Sequence, residues 1–133
     1  MADLVGIVLV SHSAELARGL RTLLSQVSTE DVPIEVAGGT DDGRIGTSYD
    51  RIASAIDRAD RGAGVVVLTD LGSAVLTART VLADRSAGSG PEPVLVDAPF
   101  VEGAVAAAVL AGTGADLAAV TAAAEEARDA RKL

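Results

Sequence analysis

Two short runs of apolar, largely β-branched residues set the strongest limit on what this chain can become. Residues 5–10 (VGIVLV) and 64–69 (GVVVLT) show no alternation of polar and apolar positions. A strand with one wet face alternates. A strand that is apolar throughout is covered on both faces, as in a parallel sheet. Between and after these runs the spacing turns helical. Leu16, Leu20, Leu23, Leu24 and Val27 recur after Ser13, a candidate N-cap. Residues 32–37 read as a second, shorter strand, and residues 38–46 as a turn-rich loop. Thr47 or Ser48 can cap a helix carrying Tyr49, Ile52, Ala53, Ile56 and Ala59 on one face, closed by Gly62 and Gly64. After the third strand, residues 70–73 turn into a helix through Val75, Leu76, Arg79 and Leu82. Residues 86–93 are a loop of small residues ending in Pro93, and 94–96 a short strand. Residues 101–111 form an Ala/Val helix whose apolar residues nearly encircle it, which predicts deep burial. Gly112 and Gly114 break it. Asp116 caps a last helix with Leu117, Val120, Ala124 and Ala127 inward and Glu125, Glu126, Arg128 and Arg131 outward.

Strands that alternate with helices pair in parallel through right-handed crossovers. The predicted fold is α/β, a three-layer sandwich around a mainly parallel four-stranded sheet of order 2-1-3-4. One domain spans residues 1–133, and 49% hydrophobic content supplies a core without disulfides. Ligands of such sheets gather beyond the carboxyl ends of the strands, at the switch point. Three segments fall there: Ser11-His12-Ser13, residues 39–47 and residues 70–73. With strands one and three adjacent, His12 and Asp70 lie side by side.

Composition narrows the chemistry. The chain has no cysteine, which removes thiol catalysis, disulfides and cysteine-ligated zinc. His12 is the single histidine, so no site needs two imidazoles from one chain. The net charge of −8 argues against nucleic acid, and Tyr49 and Phe100 are the only Phe, Tyr or Trp residues. No run approaches the roughly 18 apolar residues of a membrane span. The apolar run from Leu4 follows Asp3 and is too short for a signal-peptide core, so the expected address is the cytoplasm.

A carboxylate beside a histidine accepts the proton of one ring nitrogen and fixes the tautomer. The other nitrogen keeps its lone pair, and the carboxylate stabilises the cationic ring formed when that nitrogen attacks. A serine triad has less support: no G-x-S-x-G surrounds Ser11, Ser13 or Ser73. A phosphoryl group on His12 would carry about two negative charges. Helix starts near Ser13 and Ser73 offer free N–H groups to it, and Gly72 lets the backbone approach closely. The bland alternative makes His12 a helix-start residue and Asp70 a cap. Asp41-Asp42 reads as a solvent-facing turn rather than a metal site, and no metal or cofactor is expected. The glycine pair at 38–39 is not a P-loop. A receiver domain would also place an aspartate at position 70, but it needs an acidic pair after strand one and a lysine after a later strand. This chain has Ser11-His12-Ser13 and a sole lysine, Lys132.

Four segments in order carry a family resemblance: Val8-Leu9-Val10-Ser11-His12-Ser13; Ala37-Gly38-Gly39-Thr40-Asp41-Asp42 with Ile45-Gly46-Thr47; Thr69-Asp70-Leu71-Gly72-Ser73-Ala74; and Ala98-Pro99-Phe100-Val101-Glu102-Gly103. Together they resemble the phosphotransfer subunits (DhaM) of phosphotransferase-system-dependent dihydroxyacetone kinases, within the mannose-type enzyme IIA group. The resemblance implies that His12 accepts a phosphoryl group from the carrier HPr. It then passes the group to ADP on the nucleotide subunit DhaL, which phosphorylates dihydroxyacetone on DhaK. It implies Asp70 as the partner of His12. It implies Ser11, Ser13, Gly39, Thr40, Gly46, Thr47, Gly72 and Ser73 as residues lining the site. Some family members carry further phosphocarrier domains, for which 133 residues leave no room, so an external carrier is expected. Mannose-type relatives dimerise through a C-terminal strand. Residues 115–133 read as helix, so a homodimer would use other surfaces. A sugar-transport enzyme IIA and a non-catalytic regulatory module of the same fold are the competing readings.

Overall fold

The computed structural model describes residues 3–86, 88 and 90–133. Ala87 and Ser89, inside the expected 86–93 loop, lie outside the described residues. Helices follow strands in the order β1 (Gly6–Ser11), α1 (Ala14–Val27), β2 (Ile34–Gly38), α2 (Tyr49–Ala59), β3 (Val65–Thr69), α3 (Gly72–Asp84), β4 (Val94–Leu95), α4 (Phe100–Gly112) and α5 (Leu117–Glu126). A 3-10 turn at Ala127–Asp129 follows α5. The sheet order is β2-β1-β3-β4 and every pair is parallel.

The two apolar runs become the central strands, buried on both sides. Successive side chains of a strand point to opposite faces. Ile7, Leu9, Val66 and Leu68 therefore meet α1, α4 and α5. Val8, Val10, Val65 and Val67 meet α2 and α3. Ser13 caps α1 by accepting from Leu16 N–H, Ser48 caps α2 through Arg51 N–H, and Asp116 caps α5 through Ala119 N–H.

Several helices turn a different face inward than hydrophobicity suggests. α1 buries Ala17, Leu20 and Leu24. Leu16, Leu23 and Val27 flank that line and stay exposed. α3 buries Ala74, Ala78 and Val81, leaving Leu76 at 65% exposure. α4 buries Gly103, Ala104, Ala107, Ala108 and Ala111, while Val101 and Val109 are exposed. The expectation of an all-round buried α4 is thus corrected: the sheet lies beneath it, α1 and α5 flank it, and one side remains open. The common physical reason is close approach. Alanine and glycine let a helix axis settle near the sheet, and the larger residues are turned to the rim. Tyr49 is likewise no core residue; its hydroxyl donates to Asp84 across to α3.

Gly38 shows the same crowding at the carboxyl end of the sheet. A Cβ there would stand 2.6 Å from Ala14 Cα. Glycine at the end of β2 is what allows the first turn of α1 to lie against it. Among the described residues, no helix is long and apolar enough to cross a membrane.

Candidate active site

The strand order places β1 between β2 and β3, so the segments following all three strands converge on one rim. Ser11 pairs with Gly38 and Val10 with Thr69. One residue further, Asp70 N–H donates to Val10 O at 3.1 Å, which extends the ladder. The chain then leaves the sheet at Ser11-His12 on one side and Asp70-Leu71 on the other, one strand spacing apart.

Asp70 is the hub. Its Oδ1 accepts from His12 Nδ1 at 2.9 Å and from Leu71 N–H at 2.7 Å. Its Oδ2 accepts from Ser11 Oγ at 2.9 Å and from His12 N–H at 3.0 Å. Burial by itself pushes this carboxyl upward. The hydrogen bonds from the His12 N–H, the His12 ring, Ser11 and Leu71 outweigh it and hold Asp70 below its ordinary value. A charged acceptor on Nδ1 places the ring proton there and leaves the lone pair on Nε2. Ser73 Oγ stands 2.5 Å from that nitrogen and, in this tautomer, donates to it. The His12 side chain is 16% exposed and Asp70 10%.

The remaining sequence-selected residues have distinct duties. Ser11 Oγ accepts from Ser13 N–H while donating to Asp70, so it is buried and satisfied. Ser13 caps α1. Gly39 N–H donates to Ser11 O and Gly46 N–H to His12 O, which ties both ends of the 39–47 loop to the backbone beside the imidazole. Gly46 has φ +148°, and a Cβ would meet Thr40 Cγ2 at 2.7 Å, so glycine is required there. Thr40 serves the loop: its hydroxyl binds Asp42 and accepts from Arg44 N–H. Asp42 is paired with Arg44, and Asp41 accepts from Ser48 and Arg51. These contacts engage both aspartates within the loop and its flanks. Nothing lies within 4 Å of where a Cβ of Gly72 would be, so no protein contact requires glycine there. Thr47 has no hydrogen bond to the imidazole; its hydroxyl meets that of Thr77 on α3, at 2.8 Å. Thr77 was not legible as a site residue; its only sequence signal is its position one helical turn after Ser73.

α3 differs from α1, α2 and α5 in having no side-chain cap: Leu71 occupies the N-cap position. The first N–H groups of α3 therefore have no side-chain acceptor, and they include that of Ser73, whose hydroxyl touches Nε2. A helix start of this kind carries partial positive charge suited to an anion. The arrangement has the parts for nucleophilic attack by Nε2 on an electrophilic centre and for holding an anionic group afterwards.

The family model described as "PTS system fructose IIA component" (EIIA-man) matches residues 6–121. The chain belongs to the mannose-type enzyme IIA family. It is 42% identical over 110 residues to the PEP-dependent dihydroxyacetone kinase 1 phosphoryl donor subunit DhaM of Listeria innocua, covering 81% of this chain and 82% of that one. It is 36% identical over 115 residues to the PTS-dependent dihydroxyacetone kinase phosphotransferase subunit DhaM of Lactococcus lactis, covering 86% and 89%. The Escherichia coli phosphoryl donor subunit DhaM is longer: the match, at 38% identity, covers 86% of this chain and 25% of that protein. Among solved structures, a protein of unknown function, EF1359, superposes with a TM-score of 0.81 at 36% identity over 92% of this chain and 94% of its own. The enzyme IIA fold of this family agrees with the sheet order expected from the strand pattern, and all four resemblance segments fall inside the matched span.

Proposed function

We propose that the protein is a phosphohistidine carrier, the phosphoryl donor subunit of a phosphoenolpyruvate-dependent dihydroxyacetone kinase. The observation that carries this reading is the pairing of His12 Nδ1 with Asp70 Oδ1, which leaves Nε2 as the free nucleophile beside the uncapped start of α3. The names borne by the relatives supply the substrate system.

The donor is the phosphoimidazole of HPr. The Nε2 lone pair attacks phosphorus, the donor's P–N bond breaks, and its electrons return to the donor ring. The proton stays on Nδ1 throughout, and Asp70 stabilises the cationic phosphoimidazole that results. Ser73 Oγ occupies the place the phosphorus takes, so its side chain turns aside and then donates to a phosphoryl oxygen. Backbone N–H groups of Gly72 and Ser73 complete the cradle, while Ser11 holds Asp70 and Gly46 holds the His12 backbone carbonyl. In the second half-reaction a terminal phosphate oxygen of ADP on DhaL attacks the same phosphorus. The P–N bond to Nε2 breaks, and ATP forms for the phosphorylation of dihydroxyacetone on DhaK. Transfers of this kind depend chiefly on positioning and charge stabilisation, which Asp70 and the start of α3 supply here.

The test is the intact mass after incubation with phosphoenolpyruvate, the system's first enzyme and HPr, with His12→Ala alongside. A gain of one phosphoryl group on the parent alone, discharged by ADP-loaded DhaL, is the expected result. A gain that also appears on the variant, or none with active HPr, removes the assignment.

A further inference from the structure

The 39–47 loop is tied to the imidazole segment by two backbone hydrogen bonds, Gly39 N–H to Ser11 O and Gly46 N–H to His12 O. Neither reaches α3, which carries Ser73. The side-chain link across that gap is between hydroxyls: Thr47 Oγ1 and Thr77 Oγ1 are 2.8 Å apart, thirty residues apart in sequence and partly buried. Thr77 lies four residues after Ser73, so its side chain sits one turn below, on the same face of α3. Its Oγ1 is 3.5 Å from Ser73 O. The two threonines thus join the loop that grips His12 to the turn of helix that presents a hydroxyl to His12 Nε2.

We propose that Thr77 is a positioning residue for phosphoryl transfer, latching the 39–47 loop to α3 and so keeping Ser73 beside Nε2, from where its hydroxyl turns to the incoming phosphoryl group. This rests on the carrier role proposed above for its kinetic consequence, but its structural consequence does not. The physical argument is one of closure. His12 is fixed from the β3 side by Asp70 and from the β2 side by Gly46. Ser73 stands on a helix that begins without a side-chain cap, so its first turn has no local anchor of that kind. The Thr47–Thr77 bond supplies one from the other side of the site. Breaking it leaves a partly buried hydroxyl without its partner and frees α3 to shift relative to the loop. Ser73 Oγ, one turn away, then loses its place beside the nitrogen, and with it the phosphoryl oxygen it meets after turning aside. Geometry of this kind governs transfer because small displacements of a positioned group cost rate.

The test uses Thr77→Val, which keeps the shape and removes the hydroxyl, Thr77→Ser, which keeps the hydroxyl, and Ser73→Ala. His12 is the only histidine, so its Nε2 resonance is read without ambiguity by nitrogen-15 NMR on the isolated protein. The expected result is that Thr77→Val moves Nε2 in the direction Ser73→Ala does, while Thr77→Ser leaves it at the parental position. In uptake from phosphorylated HPr, Thr77→Val should lower kcat about fivefold, as for one lost hydrogen bond, with KM for HPr unchanged. A parental Nε2 shift in Thr77→Val overturns the proposal, as does equal loss in the Val and Ser variants. If Thr77→Val fails to fold, Thr47→Val breaks the same bond from the loop side and is read the same way. If the parent takes up no phosphoryl group, the carrier reading fails while the NMR comparison still decides whether Thr77 positions Ser73.

Discussion

Ser73 Oγ lies 2.5 Å from His12 Nε2, the ring nitrogen that Asp70 leaves free. The resting site thus keeps the proposed nucleophile hydrogen-bonded to a hydroxyl that can also serve a phosphoryl oxygen. Ser73→Ala frees the nitrogen but removes a donor from the charged product. The net expectation is slower uptake and a shorter-lived phosphohistidine, each changed about fivefold to tenfold. Stopped uptake assays and loss of label over time check both. A phosphohistidine as durable as the parent's would show that Ser73 does not touch the bound group.

Asp70 links the chemistry to pH. Burial raises its carboxyl, but the hydrogen bonds it accepts hold it below the ordinary 3.8. The folded protein therefore binds a proton there more weakly than the unfolded chain does. The stability this carboxylate contributes is present above the unfolded value of about 3.9 and is lost as pH falls through the lower folded value. In urea unfolding, the advantage of the parent over Asp70→Asn should hold near pH 5 and shrink toward about pH 3. An advantage that widens in acid contradicts this sign. The same variant should slow phosphoryl uptake by roughly a hundredfold, since an amide neither fixes the tautomer nor stabilises the cationic ring.

Two glycines of the rim make opposite predictions. At Gly38 a new Cβ would stand 2.6 Å from the Ala14 backbone, so Gly38→Ala should cost roughly 1–3 kcal/mol and displace the start of α1. At Gly72 the space is open, and alanine favours a helix. Gly72→Ala should keep or slightly raise Tm, yet slow transfer if the phosphoryl group or its carrier occupies that space. A Gly72→Ala protein with unchanged Tm and unchanged rate would place both elsewhere.

The net charge of −8 predicts a dependence on salt. A carrier with a basic surface around its own histidine is steered toward an acidic protein, and screening weakens that steering. The second-order rate of uptake from HPr should fall as ionic strength rises. A rate that is flat from low to high salt would assign recognition to apolar contacts such as those available at Ile45 and Leu71, both exposed beside the site.

Much of this molecule is legible without coordinates. The unbroken apolar runs at β1 and β3 determine a sheet covered on both faces. The helices between its strands determine parallel pairing, and the carboxyl-end rule brings His12 and Asp70 together. Ser13 and Asp116 declare themselves as caps because short polar side chains favour those positions. The sequence does not reveal which helix face turns inward when alanine competes with leucine. On α1 and α3 that choice follows from how near the helix can approach the sheet, a quantity set by the partner surface. It also does not reveal Thr77. A threonine in a helix has no local mark of function, and its partner Thr47 is brought to it only by the crossover.

Local pattern and strand order are written along the chain because they depend on side-chain periodicity and on the handedness of the backbone. They suffice to place a histidine beside an aspartate. Which ring nitrogen is free, which hydroxyl meets it and what anchors that hydroxyl depend on distances of a few tenths of an ångström between segments about thirty to sixty residues apart. Only the packed tertiary structure decides them, because hydrogen bonds discriminate on a length scale far finer than the spacing of strands and helices.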